Sequence, residues 1–496
     1  MIDSEPLLSN EKVESDEDYR LGGRSPIATL FSLLSGPLLF QFINCFYEVI
    51  NTKWVSKGIG EEGLETLSSL FIFDIIIFSF DNLLNVSTSS HMSYLIGRGT
   101  SQDGNQLIAD MFRVAMILAI IYPAICLSSI FYIVRLMSES SKIAHNAFKY
   151  ECISAGCSII TFTFSVLCGL LEGEGRTWLF GLMQLIAIVL DMCCFLPLFL
   201  MKLHFGIWAV ALSQVISQSI PMIILMVLLW SGKLSIKIKF SMLFNKFSNE
   251  TKNALKVGFA SFVLNLSEVF PEFAMQKFII LVADHVNLRD PVLASWYIFG
   301  CLYSISLCVM IAFDSAYMPS ASYAYGKRQY KRIVKLTLHS LWITLVYASI
   351  ISSIIIIFPT TIPSFFTKDE QILGAFKNYL WVAFLSIPLY PIPPLVISFF
   401  QAIKRPTPAT IISLLTTLIP MPVFSAIFYY THPSSLRWIY STYIAADILS
   451  GLIAIIGILP IFIKLSKLND GDKFDDEEKA DENQQQSVKS IESITN

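Results

Sequence analysis

Charge is what this chain has least of. Asp, Glu, Lys and Arg make up 15% of its 496 residues, where a soluble domain carries about a quarter. An ordinary soluble protein is therefore excluded. The balance of 35 basic against 38 acidic residues gives a net charge of -3, which supplies no basic surface for nucleic acid. The nine cysteines form no Cys-x-x-Cys pair and fall mostly in apolar stretches, so they read as small packing residues and not as metal ligands. No G-x-x-x-x-G-K-[ST] is present, which argues against ATP as the direct energy source. H-E-x-x-H and G-x-S-x-G are absent too. With no catalytic constellation, the chain reads as a non-enzyme with no cofactor and no metal. Gly58-x-Gly60-x-x-Gly63 matches the dinucleotide pattern, but no strand precedes it and Glu61 and Glu62 would repel a pyrophosphate. No apolar core precedes residue 25, so no cleavable signal peptide is expected and the first span acts as its own signal.

What the chain has is apolar length. The AVILMFWYC residues make up 54% of it, and a span needs about 20 apolar residues. Twelve stretches qualify: 27–53, 64–92, 107–135, 147–171, 177–201, 206–231, 254–283, 292–319, 333–359, 373–402, 406–430 and 438–465. The expected fold is an all-α polytopic membrane protein with twelve transmembrane helices in two pseudo-symmetric six-helix bundles. The expected domains are a disordered acidic tail 1–26, an N-lobe 27–231, an inter-lobe linker 232–253, a C-lobe 254–465 and a disordered acidic tail 466–496. Basic residues concentrate in the linker (Lys233, Lys237, Lys239, Lys246, Lys252) and in 324–335 (Lys327, Arg328, Lys331, Arg332, Lys335). That places both tails in the cytoplasm. Asp3-Ser4-Glu5-Pro6-Leu7-Leu8 resembles an acidic dileucine sorting signal, so the expected membrane is the plasma membrane or a vacuolar or endosomal one.

The halves echo one another. Ser93-Tyr94-x-x-Gly97 recurs as Ser322-Tyr323-x-x-Gly326, and Gly175-Arg176-Thr177 is echoed at the same ungapped offset by Lys404-Arg405-Pro406. Internal repetition of this kind is common in secondary transporters, with the substrate path between the halves.

Several ionisable side chains fall inside predicted spans: Glu48, Asp74, Asp81, Asp191, Glu268, Glu272, Lys277, Asp314 and Asp447. Each costs about 2.5–3.5 kcal/mol at mid-bilayer, so a handful facing lipid would cost on the order of 10 kcal/mol. They must face a wet cavity, pair, or stay protonated. Counted at 1.5 Å per residue, Glu48, Asp74, Asp191 and Ser213 lie roughly 8–15 Å below the outer ends of their spans. Asn44 sits one turn before Glu48. Glu48, Asp191, Asn44, Ser213 and Asp74 are thus candidates for coupling a proton or sodium ion. Asp74 and Asp81, two turns apart, share a helix face. Glu268 and Glu272, with Pro271 between them, share another and suit a cationic substrate. Glu268, Glu272, Asp81 and Gln41 are the substrate candidates. His91, His204 and His432 lie near span ends and read as interfacial.

The same residues carry a family resemblance. Pro37, Gln41 and Glu48, followed by Gly58-x-Gly60 and Leu64, resemble the first span of multidrug and toxic-compound extrusion (MATE) transporters of the MOP flippase superfamily. Ser90-x-x-Ser-Tyr-x-x-Gly-Arg-Gly resembles the end of span 2. Arg176 to Asp191 and Phe205-Gly-Ile-Trp through Ser213 to Gln218 resemble spans 5 and 6. Pro319 to Arg332 and Phe366-Thr-Lys-Asp-Glu resemble two C-lobe loops. The resemblance covers nearly all of 27–465. It implies two six-helix bundles around a central cavity, alternating access, and export driven by proton or sodium influx. Glu48 and Asp191 match the family's N-lobe acids, Ser213 matches a hydroxyl position, and Glu268 matches the span 7 glutamate of eukaryotic members. The chain departs from the pattern at Ala187 and Gly97. Residues 388–394 (Pro-Leu-Tyr-Pro-Ile-Pro-Pro) replace the usual span 10 acid, which favours coupling in the N-lobe. The expected protein is a monomeric antiporter of amphipathic organic cations or metabolites, with the lipid bilayer and its small-molecule substrate as partners. The rivals are a lipid-linked oligosaccharide flippase on the same scaffold, which would want a basic cavity, and a non-transporting membrane receptor or scaffold.

Overall fold

The computed structural model describes residues 16–100, 102–137 and 141–472. The dileucine-like segment and residues 473–496 lie outside these. Helices α1 (Asp16–Leu21), α2 (Pro26–Gly58), α3 (Glu61–Arg98), α4 (Asp103–Met137), α5 (Ser141–Ser154), α6 (Ser158–Gly173), α7 (Thr177–Val189) and α8 (Trp208–Trp230) make the first half. The second half holds α9 (Asn249–His285), α10 (Arg289–Gly326), α11 (Tyr330–Ile357), α12 (Glu370–Asn378), α13 (Ile392–Ala402), α14 (Pro406–Thr417), α15 (Pro420–Thr431) and α16 (Leu436–Lys467). Among the described residues, nine helical segments are long and apolar enough to cross a membrane, or ten if the α5–α6 pair, bent by 49°, is one span. Two more crossings complete the twelve. The charges of Glu268, Glu272 and Lys277 interrupt the apolar surface of α9, and residues 370–402 cross in pieces.

That last crossing corrects the expectation of one helix over 373–402. The chain forms α12, a 3-10 stretch Leu380–Ser386 and only then α13. Pro388, Pro391, Pro393 and Pro394 explain the break, because each removes a backbone donor and restricts the residue before it. The expected disordered tail 1–26 also needs correction. Residues 16–21 form α1, whose Leu21 is fully buried. Ser25 caps α2, with Pro26 in its first turn.

The echo in sequence is an echo in backbone. α3 ends at Gly99 with φ 78°, and its counterpart in the second half, Arg328, has φ 55°. α6 ends at Gly175 with φ 71°, matched by Lys404 with φ 59°. Both halves thus stop the same helices with left-handed residues, although two of the four positions carry side chains that disfavour that region.

Both ends of the described chain sit on one face, here called the terminal face. Tyr323 donates to Asp18 at 2.7 Å and Arg20 to the Glu174 carbonyl at 3.1 Å, so α1 straps one lobe to the other. Gly471 N–H donates to the Arg328 carbonyl at 3.0 Å. The inter-lobe connection is anchored to α4. Asn105 accepts from Lys237 N–H at 2.7 Å, and the fully buried Asp110 accepts from Ser248 N–H and the Thr251 hydroxyl, both at 2.9 Å.

The lobes meet along α2 with α10 and α3 with α9, and α3 crosses α10 near the terminal face. One buried apolar core runs through the N-lobe and into the terminal-face ends of α9, α10, α11 and α13. The half of the C-lobe away from that face has its own core. The two lobes thus share one core at the terminal face, while the other half of the C-lobe has a core of its own.

Candidate functional site

In the N-lobe, α7 loses its regular turn at the residue that matters. After Val189 the backbone widens into π turns at Leu190–Phe195 and Leu198–Lys202, a distortion frequent at functional sites. Asp191 lies in the first of them and is 3% exposed. Tyr47 on α2 donates its hydroxyl to Asp191 Oδ2 at 2.5 Å. Gln214 on α8 donates to the Tyr47 hydroxyl at 3.1 Å and accepts from Tyr150 on α5 at 3.3 Å. Ser213 lies against Asp191 and donates back to the Val210 carbonyl at 2.8 Å. Asp191 Oδ1 is buried without a hydrogen-bond partner. A buried carboxylate with one oxygen held and one unengaged can take up a proton or an inorganic cation.

Asp74 stands within electrostatic reach of Tyr47 and Tyr150 and close to Glu151. Its exposed side chain needs an aqueous cleft, since a carboxylate facing lipid would be costly. Glu151, almost wholly buried on α5, accepts from Tyr122 at 2.7 Å, and its other oxygen has no partner. Asn44 and Gln41 are half-buried on α2. Position 48 lies on the same helix, but the Glu48 side chain is outside the described residues. Asp81 shares the face of Asp74 but lies toward α6, where Ser165 donates to its main-chain carbonyl at 2.7 Å.

The C-lobe holds a second cluster. Glu268 and Glu272 on α9 are exposed. Tyr390 lies within electrostatic reach of both and of Asp447 on α16. Tyr303 and Tyr443 also neighbour Asp447. The proline-rich segment that lacks the expected acid thus delivers a tyrosine, and Asp447 brings a carboxylate from another helix.

Sequence reasoning missed several of these residues. Glu151 carries the same signal as the acids that were recognised, an ionisable group within an apolar span. Tyr47, Tyr150 and Gln214 carry no such signal, because neutral polar residues are common in spans and gain meaning only from what they touch.

At the terminal face the lobes are latched. Ser90 and Ser322 lie 3.0 Å apart, and Lys404 donates to the Ser90 carbonyl at 2.9 Å and hydroxyl at 2.7 Å. His91, expected at the membrane interface, is 1% exposed and 2.7 Å from Glu250. Arg98 stands 3.5 Å from the same carboxylate. The hydrogen bond from His91 is the main influence holding the Glu250 carboxyl below the usual carboxylate range, helped by the charges of His91, Arg98 and Lys404 and opposed by partial burial. A depressed carboxyl stabilises its contact above its unfolded pKa and loses that stability as pH falls through the folded value. The latch should therefore hold at neutral pH and weaken in acid below the ordinary range of glutamate. Labelling of a cysteine placed at Ser322 should rise on acidification, and Glu250→Gln should remove most of that rise.

Two six-helix lobes that share a core at one face and carry buried acids define a multi-pass membrane protein. The MatE family matches residues 37–195 and 250–424, and the chain belongs to that family. Among solved structures, the chain resembles an outward-facing multidrug-resistance MATE transporter of the MOP superfamily (TM-score 0.82, 19% identity, 90% of this chain and 98% of that one). It resembles a MATE in complex with MaL6 (TM-score 0.84, 20% identity, 92% and 100%). A third likeness is to a MOP superfamily transporter from Pyrococcus furiosus described by the reverse polarity of its binding pocket (TM-score 0.82, 20% identity, 91% and 98%). At these identities the likeness shows the fold. No curated protein matches the chain.

Proposed function

We propose that the chain is a secondary-active antiporter that exports amphipathic organic cations or metabolites in exchange for protons or sodium ions. The carrying observation is Asp191, held by Tyr47 through one oxygen and unengaged at the other, with the exposed Asp74 within electrostatic reach of the same Tyr47. The inward-moving ion binds there, with Glu48 as a second acid and Ser213 and Asn44 as neutral ligands. The acids of the C-lobe, Glu268 and Glu272, attract the cationic substrate, with Asp81 and Gln41 on the opposite lobe.

The concentration of lysine and arginine near the terminal face supports a cytoplasmic position for it. The core shared by the lobes at that face supports a conformation open to the outside, from which a counter-ion binds and a substrate leaves. One charge moved across 100 mV provides about 2.3 kcal/mol, enough for roughly a 50-fold substrate gradient. The acidic cleft speaks against the lipid-linked oligosaccharide flippase, whose pyrophosphate needs basic groups.

Proteoliposomes loaded with a fluorescent organic cation test the reading under imposed pH and sodium gradients in turn. Efflux should follow one gradient, and Asp191→Asn and Glu48→Gln should each lower it by about tenfold or more while leaving the melting temperature close to that of the parent chain. Gradient-driven efflux undiminished in both variants would reject N-lobe coupling.

A further inference from the structure

Three arginines at the terminal face lie outside the sites described above. Arg20 on α1, Arg24 in the link to α2 and Arg176 at the turn before α7 all line one open pocket of about 370 Å³. Among the described residues no acidic side chain lines it. The acids stand behind the arginines and fix them. Arg20 donates to Glu17 at 3.2 Å and to the Glu174 carbonyl at 3.1 Å. Arg176 comes within 3.9 Å of the same Glu17 oxygen and within 2.9 Å of the buried Glu174 carboxylate. Arg24 donates to Ser32 on α2 and lies over the Tyr19 ring, 5.1 Å from its centre. Three guanidinium groups thus meet at one opening against the two carboxylates they touch, which leaves a positive charge unmatched.

The first turn of α7 adds to that charge. Thr177, Trp178 and Leu179 line the pocket, and the N–H groups of a first turn have no partner within their helix. No side chain caps α7, and no acid lies in its first turn. The internal repeat supplies a contrast. At the matching place in the C-lobe, α14 opens with Pro406-Thr407-Pro408, whose prolines carry no N–H. The C-lobe has no such set of donors at its equivalent helix start.

Guanidinium forks pair with carboxylate or phosphate oxygens. A water molecule's share of the liquid is about 30 Å³, so the pocket is far larger than a chloride ion or a lone carboxylate needs. Its location decides the source of the anion. α2 and α7 both begin beside the pocket, and each is long and apolar enough to cross a membrane. The pocket therefore lies where two spans enter the bilayer, at the depth of lipid headgroups. Trp178 is 58% exposed, at the level where tryptophan collects along the membrane boundary. A soluble phosphate ester offers the arginines the same oxygens but leaves Trp178 and Leu179 without an apolar contact.

We propose that this pocket binds the phosphate headgroup of an anionic phospholipid in the leaflet at the terminal face, with Arg20, Arg24 and Arg176 on its phosphoryl oxygens. Such a site is independent of what the protein transports. A headgroup held there ties α1 to the N-lobe, while Tyr323 donating to Asp18 at 2.7 Å ties α1 to the C-lobe.

Calorimetric titration of the full chain in detergent with dioctanoyl phosphatidylinositol 4-phosphate tests the site. Dioctanoyl phosphatidylcholine and inositol 1,4-bisphosphate are the comparisons. The inositol lipid should bind about tenfold or more tighter than phosphatidylcholine, and about fivefold or more tighter than the bisphosphate. Arg24→Gln and Arg176→Gln should each weaken the lipid about fivefold. Ser32→Asp sets an acid beside Arg24 without removing an ion pair. It should weaken the lipid to a similar degree at a nearly unchanged melting temperature. Lys252, an exposed cation of the same face outside the pocket, is the control, and Lys252→Gln should leave binding within about twofold of the parent. Equal binding of the two lipids, or an affinity unchanged in Arg24→Gln and Ser32→Asp, would overturn the site. An equal loss in Lys252→Gln would also overturn it, by reducing the attraction to the charge of the whole face. Binding of the bisphosphate as tight as that of the lipid would overturn the lipid assignment and leave a soluble phosphate ester as the ligand.

Discussion

Gly97→Ala should open the terminal face without unfolding the protein. A Cβ on Gly97 would sit 2.2 Å from the Tyr323 carbonyl oxygen, and a Cβ on Gly326 would sit 2.2 Å from the Tyr94 carbonyl oxygen. The two glycines are counterparts in the repeat, and each lets its helix ride on the other's backbone where α3 crosses α10. A carbonyl on a helix cannot swing aside as a side chain can, so one added methyl must part the helices. Overpacking of this kind costs about 1–3 kcal/mol. It falls almost entirely on the state in which the lobes touch, and so raises the ratio of open to closed by roughly 5- to 150-fold. Gly326→Ala should do the same to a similar degree, because the contact is reciprocal. The check is modification of a cysteine at Ser322 by a water-soluble reagent, read together with the melting temperature. Faster modification at nearly unchanged melting temperature is the expected result. Unchanged modification in both variants would mean that the crossing is not the hinge of closure.

Gly36→Val should instead abolish the folded protein. Gly36 on α2 meets α7 within one lobe, and a Cβ there would lie 1.7 Å from the Thr177 carbonyl oxygen. Gly181 returns the contact, its Cβ falling 2.4 Å from the Gly36 carbonyl oxygen. Close glycine crossings of this sort let helix backbones attract by contact where no hydrophobic effect operates between them. No rigid-body motion relieves this clash, because α2 and α7 belong to one lobe and position Tyr47 against Asp191. The cost should exceed about 3 kcal/mol, a large part of a total stability near 5–15 kcal/mol. The yield of monodisperse protein in mild detergent should fall by about tenfold or more, whereas Gly97→Ala should purify normally. The contrast tests the assignment of the two crossings, one between lobes and one within a lobe.

The apolar segments were legible because membrane crossing is a local property. A run of apolar residues reveals its length whatever its neighbours are. The repeat was legible where the crossing at the terminal face keeps Ser93-Tyr94-x-x-Gly97 and Ser322-Tyr323-x-x-Gly326 alike, although the left-handed positions beyond them, Gly99 with Arg328 and Gly175 with Lys404, carry different residues. Asp191, Asp74, Glu268 and Asp314 announced themselves because an acid in a span must have a wet or paired environment. The break at 379–391 was readable in its prolines but was outweighed by the apolar composition around it.

Partnership was decided by the tertiary structure alone. Arg20, Arg24 and Arg176 fell outside the predicted spans, and only the packing of α1 and α2 against the start of α7 places them around one pocket. His91 looked interfacial because its depth could be counted but its partner, Glu250, could not. Composition and period along one helix establish that a polar face exists and how deep it lies. Which other face closes upon it depends on how twelve helices pack. That packing is settled by glycines at Gly97, Gly326 and Gly36, whose contribution is the absence of a side chain and leaves almost no mark on the hydropathy of the sequence.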